Sequence, residues 1–103
     1  MKKRVVITGL GIVAPNGVGL DAFTNAIKNG ISGIKFDAEL ERLKFSCQIS
    51  GTPEILEELK SNYFSDLELR NFNSTGILYG VIAGLDAWKD AGLTIEQNEN
   101  PDW

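Results

Sequence analysis

The chain contains no histidine. A Ser-His-Asp triad, a Cys-His pair and a His-ligated metal site are therefore excluded from within these residues. There is a single cysteine, Cys47, so no internal disulfide can form and nothing demands an oxidising compartment. Long apolar runs are also missing. The most apolar stretch, near Ile77–Leu85, is closed by Asp86 and Lys89, well short of the ~20 residues of a membrane span. The opening Met1-Lys2-Lys3-Arg4 is followed only by Val5-Val6-Ile7 before Thr8 and Gly9. A secretory signal needs roughly 7–15 apolar residues there. A cytoplasmic location is the expectation. Basic charge is scarce: Lys and Arg total 10 against 14 Asp and Glu, a net charge of −4. Without a basic stripe, neither nucleic acid nor an anionic membrane is an expected partner.

What remains is ordinary globular material: 103 residues, 43% hydrophobic and 23% charged, with 11 Gly and 3 Pro. That composition supports one domain, residues 1–103, with one modest core. Alternating helical and strand signals predict an α/β class. Arg4–Thr8 reads as a strand, because Val5, Val6 and Ile7 are β-branched and consecutive. Gly9 and Gly11 end it, and Pro15, Asn16, Gly17 and Gly19 make a long turn. A helix follows from Leu20 to Asn29, with Phe23, Ala26 and Ile27 on one face and Gly30 after its end. Ser32-Gly33 is a loop.

Asp37 caps a short helix, Ala38 to Leu43. Phe45, Cys47 and Ile49 alternate with Ser46, Gln48 and Ser50, the period of a half-buried strand. Thr52-Pro53 predicts a helix from Pro53 to Ser61, with Ile55, Leu56, Leu59 and Tyr63 inward. Ser65 to Glu68 has capping-box spacing and opens a turn ending near Phe72. Ser74 or Thr75 caps the longest helix, which runs to Ala91 with Gly92 as C′. Its apolar face is Leu78, Val81, Leu85 and Trp88, widened by Ile77 and Ile82. Gly76, Gly80 and Gly84 recur along it, each costing about 1 kcal/mol against alanine. Close approach by another helix would offset that cost, so this helix is expected to be central and buried. After Leu93 the chain turns polar, Thr94 to Asp102, before Trp103.

Gly9-Leu10-Gly11-Ile12-Val13-Ala14 matches the G-x-G-x-x-A phosphate loop of dinucleotide-binding folds. That loop must lead straight into a helix. Pro15, Asn16, Gly17 and Gly19 prevent one, and no acidic residue ends a second strand at the required distance. A structural strand-to-loop turn is the favoured reading, with a small nucleotide-binding domain as the lesser one. Cys47 lies on the apolar side of its strand with no base or cation beside it, so it reads as a core residue rather than a nucleophile. Glu54, Glu57 and Glu58 read as a solvated helix face, and Trp88 as core.

The opening, Arg4-Val5-Val6-Ile7-Thr8-Gly9-Leu10-Gly11-Ile12-Val13-Ala14-Pro15-Asn16-Gly17, resembles the amino terminus of β-ketoacyl-acyl carrier protein synthases of the elongating type. The resemblance continues through Gly30-Ile31-Ser32-Gly33-Ile34, returns at Tyr79-Gly80, and closes on Leu85-Asp86-Ala87-Trp88-Lys89-Asp90-Ala91-Gly92-Leu93. It departs at Ala14, where the family usually has Ser or Thr. It implies a thiolase-like αβαβα fold, of which this chain is the first part of the amino-terminal half. That part would hold one or two strands and a buried glycine-rich helix.

It further implies a homodimer when complete, acyl carrier protein as partner, and no metal or dinucleotide cofactor. The family's catalytic cysteine and two histidines lie downstream, so no catalytic residue maps here. The chain alone is expected to be an inactive portion of a 3-oxoacyl synthase of fatty-acid or polyketide synthesis, needing the remainder of its own domain. Family members often carry several Arg and Lys over Leu67–Asn73 that contact the acidic carrier. This stretch is a second departure, since only Arg70 remains here. A natural short, non-catalytic interaction module is the alternative reading.

Overall fold

The computed structural model describes residues 2–94. The polar stretch beyond Thr94, Trp103 included, lies outside the described residues. Nine short elements follow one another: β1 (Val13–Ala14), β2 (Gly17–Val18), α1 (Leu20–Lys28), β3 (Ile34–Phe36), α2 (Ala38–Arg42), β4 (Ile49–Gly51), α3 (Glu57–Tyr63), α4 (Asp66–Asn71) and α5 (Thr75–Asp90). The class is mixed α and β, as expected. The described strands form two separate antiparallel pairs, β1 with β2 and β3 with β4.

The strand expected at Arg4–Thr8 does not form. A strand needs a neighbour to take its N–H and C=O groups, and none lies beside this segment among the described residues. Val5, Val6 and Ile7 are left 95%, 64% and 83% exposed. The turn after it is instead a tight hairpin. Val13 faces Val18 and Ala14 faces Gly17, with Pro15 presetting the first turn dihedral.

Helix α1 ends as the sequence predicts. Gly30 takes φ 65°, its N–H bonds Ile27 O at 3.1 Å, and the Ile31 N–H bonds Ala26 O at 2.8 Å. That is the Schellman pattern. Asp37 caps α2 through its side chain, accepting from the Glu39 and Leu40 N–H groups. The end of α2 explains a second departure. Lys44 adopts φ 58°, and the Phe45 N–H bonds Leu40 O at 3.0 Å. Phe45 is thus spent closing a helix, and the strand expected at Phe45–Ile49 begins only at Ile49. It pairs with Ile34–Phe36, a strand with no sequence expectation. Cys47 falls in the exposed connection and is not a core residue.

Helix α3 starts at Glu57, not Pro53. Residues 52–56 stay out of helix, which brings Ile55 onto the core while Leu56 remains 71% exposed. Glu54 and Glu57 sit on the surface, paired with Lys35 and Lys60, but Glu54 precedes the helix rather than lying on its face. Ser65 and Glu68 form the complete reciprocal capping box of α4. The core is a small cluster of Phe64, Leu78 and Ile82, with Ile55, Leu69, Phe72 and Val81 packed on it. Phe64 and Phe72 meet edge to face, centroids 5.0 Å apart.

Helix α5 matches its expected span, closing on Gly92 at φ 76°, but Ser74 at its N-cap makes no side-chain capping hydrogen bond. Its packing does not match. Leu78 and Ile82 are buried, while Leu85 is 38% and Ile77 53% exposed. Trp88 is half-buried rather than core. Nothing lies within 4 Å of a Cβ built on Gly80 or Gly84. Among the described residues the glycine face is bare and no helix approaches it. Four hydrophobic residues in all are buried among those described. The Cα radius of gyration is 17.4 Å, against about 13 Å for a compact chain near this size. The elements are formed but the core is open.

Two predictions follow this packing. Ile82→Ala removes the one fully buried large side chain and costs about 2–5 kcal/mol. Leu85→Ala costs under about 1 kcal/mol, because exposed positions lose little. Urea melts of both variants measure the difference, and equal losses would refute the placement of the core. Lys44→Gly relieves a left-handed lysine and raises stability by up to about 1 kcal/mol. A lowered midpoint would mean that Lys44 is not held at positive φ.

Candidate functional site

The Gly9-Leu10-Gly11 segment has its partner in α5. A Cβ on Gly9 would stand 2.3 Å from Ala87 O and 2.6 Å from Ala91 N. One on Gly11 would stand 1.9 Å from Ala83 O and 2.7 Å from Ala87 N. The glycines thus let the chain lie directly on a ridge of small residues, Ala83, Ala87 and Ala91, spaced four apart on one helix face. Asp90 completes the contact by accepting the Leu10 N–H at 2.9 Å. This arrangement disfavours the dinucleotide reading. The side of the loop that must face a pyrophosphate is filled by α5, and the next helix starts only at Leu20. The close contact expected of Gly76, Gly80 and Gly84 falls instead on Ala83, Ala87 and Ala91, whose four-residue spacing is its signal in the sequence.

The residues capable of chemistry are scattered. Cys47 is exposed, its Sγ 4.0 Å from Ile49 O. No group of three or more His, Cys, Asp or Glu side chains among the described residues could hold a metal ion. No described helix is long and apolar enough to cross a membrane. Arg70 stands exposed in the last turn of α4, with no ion pair among the described residues. Asp66 and Glu68 occupy the first turn of the same helix.

One concavity, of about 510 Å³, opens between α3 and the C-terminal half of α5. Leu59, Tyr63, Leu85, Asp86 and Trp88 line it. The Tyr63 hydroxyl donates to Asp86 Oδ1 at 2.5 Å and ties the two helices together. That bond, aided by partial burial and the Asp86 charge, pushes the Tyr63 phenol up to about 12. A phenol held so firmly in its protonated form is a poor acid or base near neutrality. The pair is a structural tie.

Because the folded-state value lies above the ordinary 10.0, the tie is complete below pH 10 and is lost as pH rises toward about 12. Titration of tyrosinate absorbance should therefore show one of the two tyrosines ionising late. Tyr63→Phe should abolish that late phase and cost at most about 1 kcal/mol, since solvent screens a half-exposed bond. A late phase surviving in the variant would break the assignment.

Comparison with known proteins accounts for this layout. The profile of the β-ketoacyl synthase N-terminal domain matches residues 2–102. A 3-oxoacyl-[acyl-carrier-protein] synthase 1 from Buchnera aphidicola is 36% identical over 100 residues, which are 96% of this chain and 24% of that protein. The synthase 1 of Escherichia coli K12 is 32% identical over 98 residues, covering 95% of this chain and 23% of its own. The chloroplastic synthase I of Arabidopsis thaliana is 33% identical over 96 residues, 89% of this chain and 19% of its own. The chain thus spans about a quarter of the length of the curated relatives it matches. The resemblance carried by the Thr8-Gly9-Leu10-Gly11 opening and the Asp90-Ala91-Gly92-Leu93 ending is borne out, and the chain belongs to the β-ketoacyl synthase family, within its N-terminal domain.

Proposed function

We propose that this chain is the scaffold-forming amino-terminal portion of a 3-oxoacyl-[acyl-carrier-protein] synthase of fatty-acid or polyketide synthesis. The complete enzyme moves an acyl chain from carrier protein onto a cysteine thiol, releasing the carrier thiol. It then decarboxylates a malonyl-carrier unit and joins the resulting carbanion to the acyl carbon. Carbon dioxide and the enzyme thiol leave, and the product is a 3-oxoacyl thioester. The observation that carries this reading is the family match over residues 2–102. It is supported by the chain's lack of any histidine and by a single thiol in an exposed connection. The acid-base and oxyanion groups such chemistry requires belong to the rest of the domain.

In this reading the fold is the first part of a thiolase-like αβαβα half. Val5, Val6 and Ile7 are exposed because the sheet they would enter is supplied by the remainder of the domain. The bare glycine face of α5 awaits the same cover. The complete protein is a cytoplasmic homodimer. Arg70 faces the acidic carrier, supported by its exposure and lack of an ion pair on α4.

Three outcomes are expected. The chain alone yields no 3-oxoacyl product from acyl- and malonyl-carrier protein. Turnover abolished by Cys47→Ala would overturn the scaffold role. In a full-length synthase containing these residues, Arg70→Glu raises the KM for carrier protein several-fold and leaves kcat unchanged. An unchanged KM would remove Arg70 from docking. By itself the chain self-associates or is marginally stable, since exposed strand edges and apolar surface invite pairing. Light scattering and amide exchange decide that point. A stable monomer with strongly protected amides at Val5–Ile7 would favour the independent interaction module instead.

A further inference from the structure

We draw no further inference here: the strongest candidate, the concavity between α3 and α5 lined by Leu59, Tyr63, Leu85, Asp86 and Trp88, has its central polar pair already satisfied within the chain, and nothing in the structure shows what covers it.

Discussion

Gly9 and Gly11 lie with their backbone against Ala83, Ala87 and Ala91, at separations that leave no room for a single Cβ. This contact joins the beginning of the chain to its last described helix, and the Asp90 carboxylate clasps it through the Leu10 N–H. It sets where β1 starts, and Val13 then reaches the cluster of Phe64, Leu78 and Ile82. Small residues on both sides are required, because only they allow a backbone to approach a helix so closely. The side chains on the helix side are alanines. The contact works by fit, while the three-residue cluster supplies the hydrophobic stabilisation.

That division explains why the helices are well formed while the core is open. Local devices complete α1, α2, α4 and α5: Schellman endings at Gly30, Lys44 and Gly92, a side-chain cap at Asp37, and the capping box at Ser65. Each stabilises through neighbours a few residues away and needs no distant partner. Sheets are different. A strand leaves half its backbone groups to another segment, and Val5–Ile7 has none among the described residues. The same chain therefore holds helix termini of good geometry beside an exposed β-branched run.

The chemistry follows the same line. The groups that could react are either bound up or isolated: Tyr63 is tied to Asp86, and Cys47 sits in a surface connection. The motif that looked most like a ligand site, the Gly9–Gly11 loop, is occupied by helix α5. Glycine is needed both where a phosphate approaches backbone and where a helix does, so the pattern alone does not distinguish them. What separates them is the residue on the far side of the gap, and that residue is more than seventy positions away.

The amino-acid sequence by itself determined most of the helices, their local endings and the family; the start of α3 is an exception, at Glu57 with no side-chain cap where Thr52-Pro53 predicts one. Asp37, the Ser65–Glu68 box, Gly30 and Gly92 act within one or two turns, so their effect is written locally. The Gly-Leu-Gly and Asp-Ala-Gly-Leu motifs carry kinship in their order and spacing. Tertiary structure decided the rest. It chose the alanine ridge rather than the glycine face of α5 as the close contact. It paired Ile49–Gly51 with Ile34–Phe36, a strand with no sequence expectation, while the local ending of α2 at Lys44 and Phe45 kept Phe45 out of the strand. It put Cys47 in solvent and left Val5–Ile7 unpaired. Each of these depends on which distant segment is present to take a hydrogen bond or cover a face, and periodicity within a stretch of chain is silent about that.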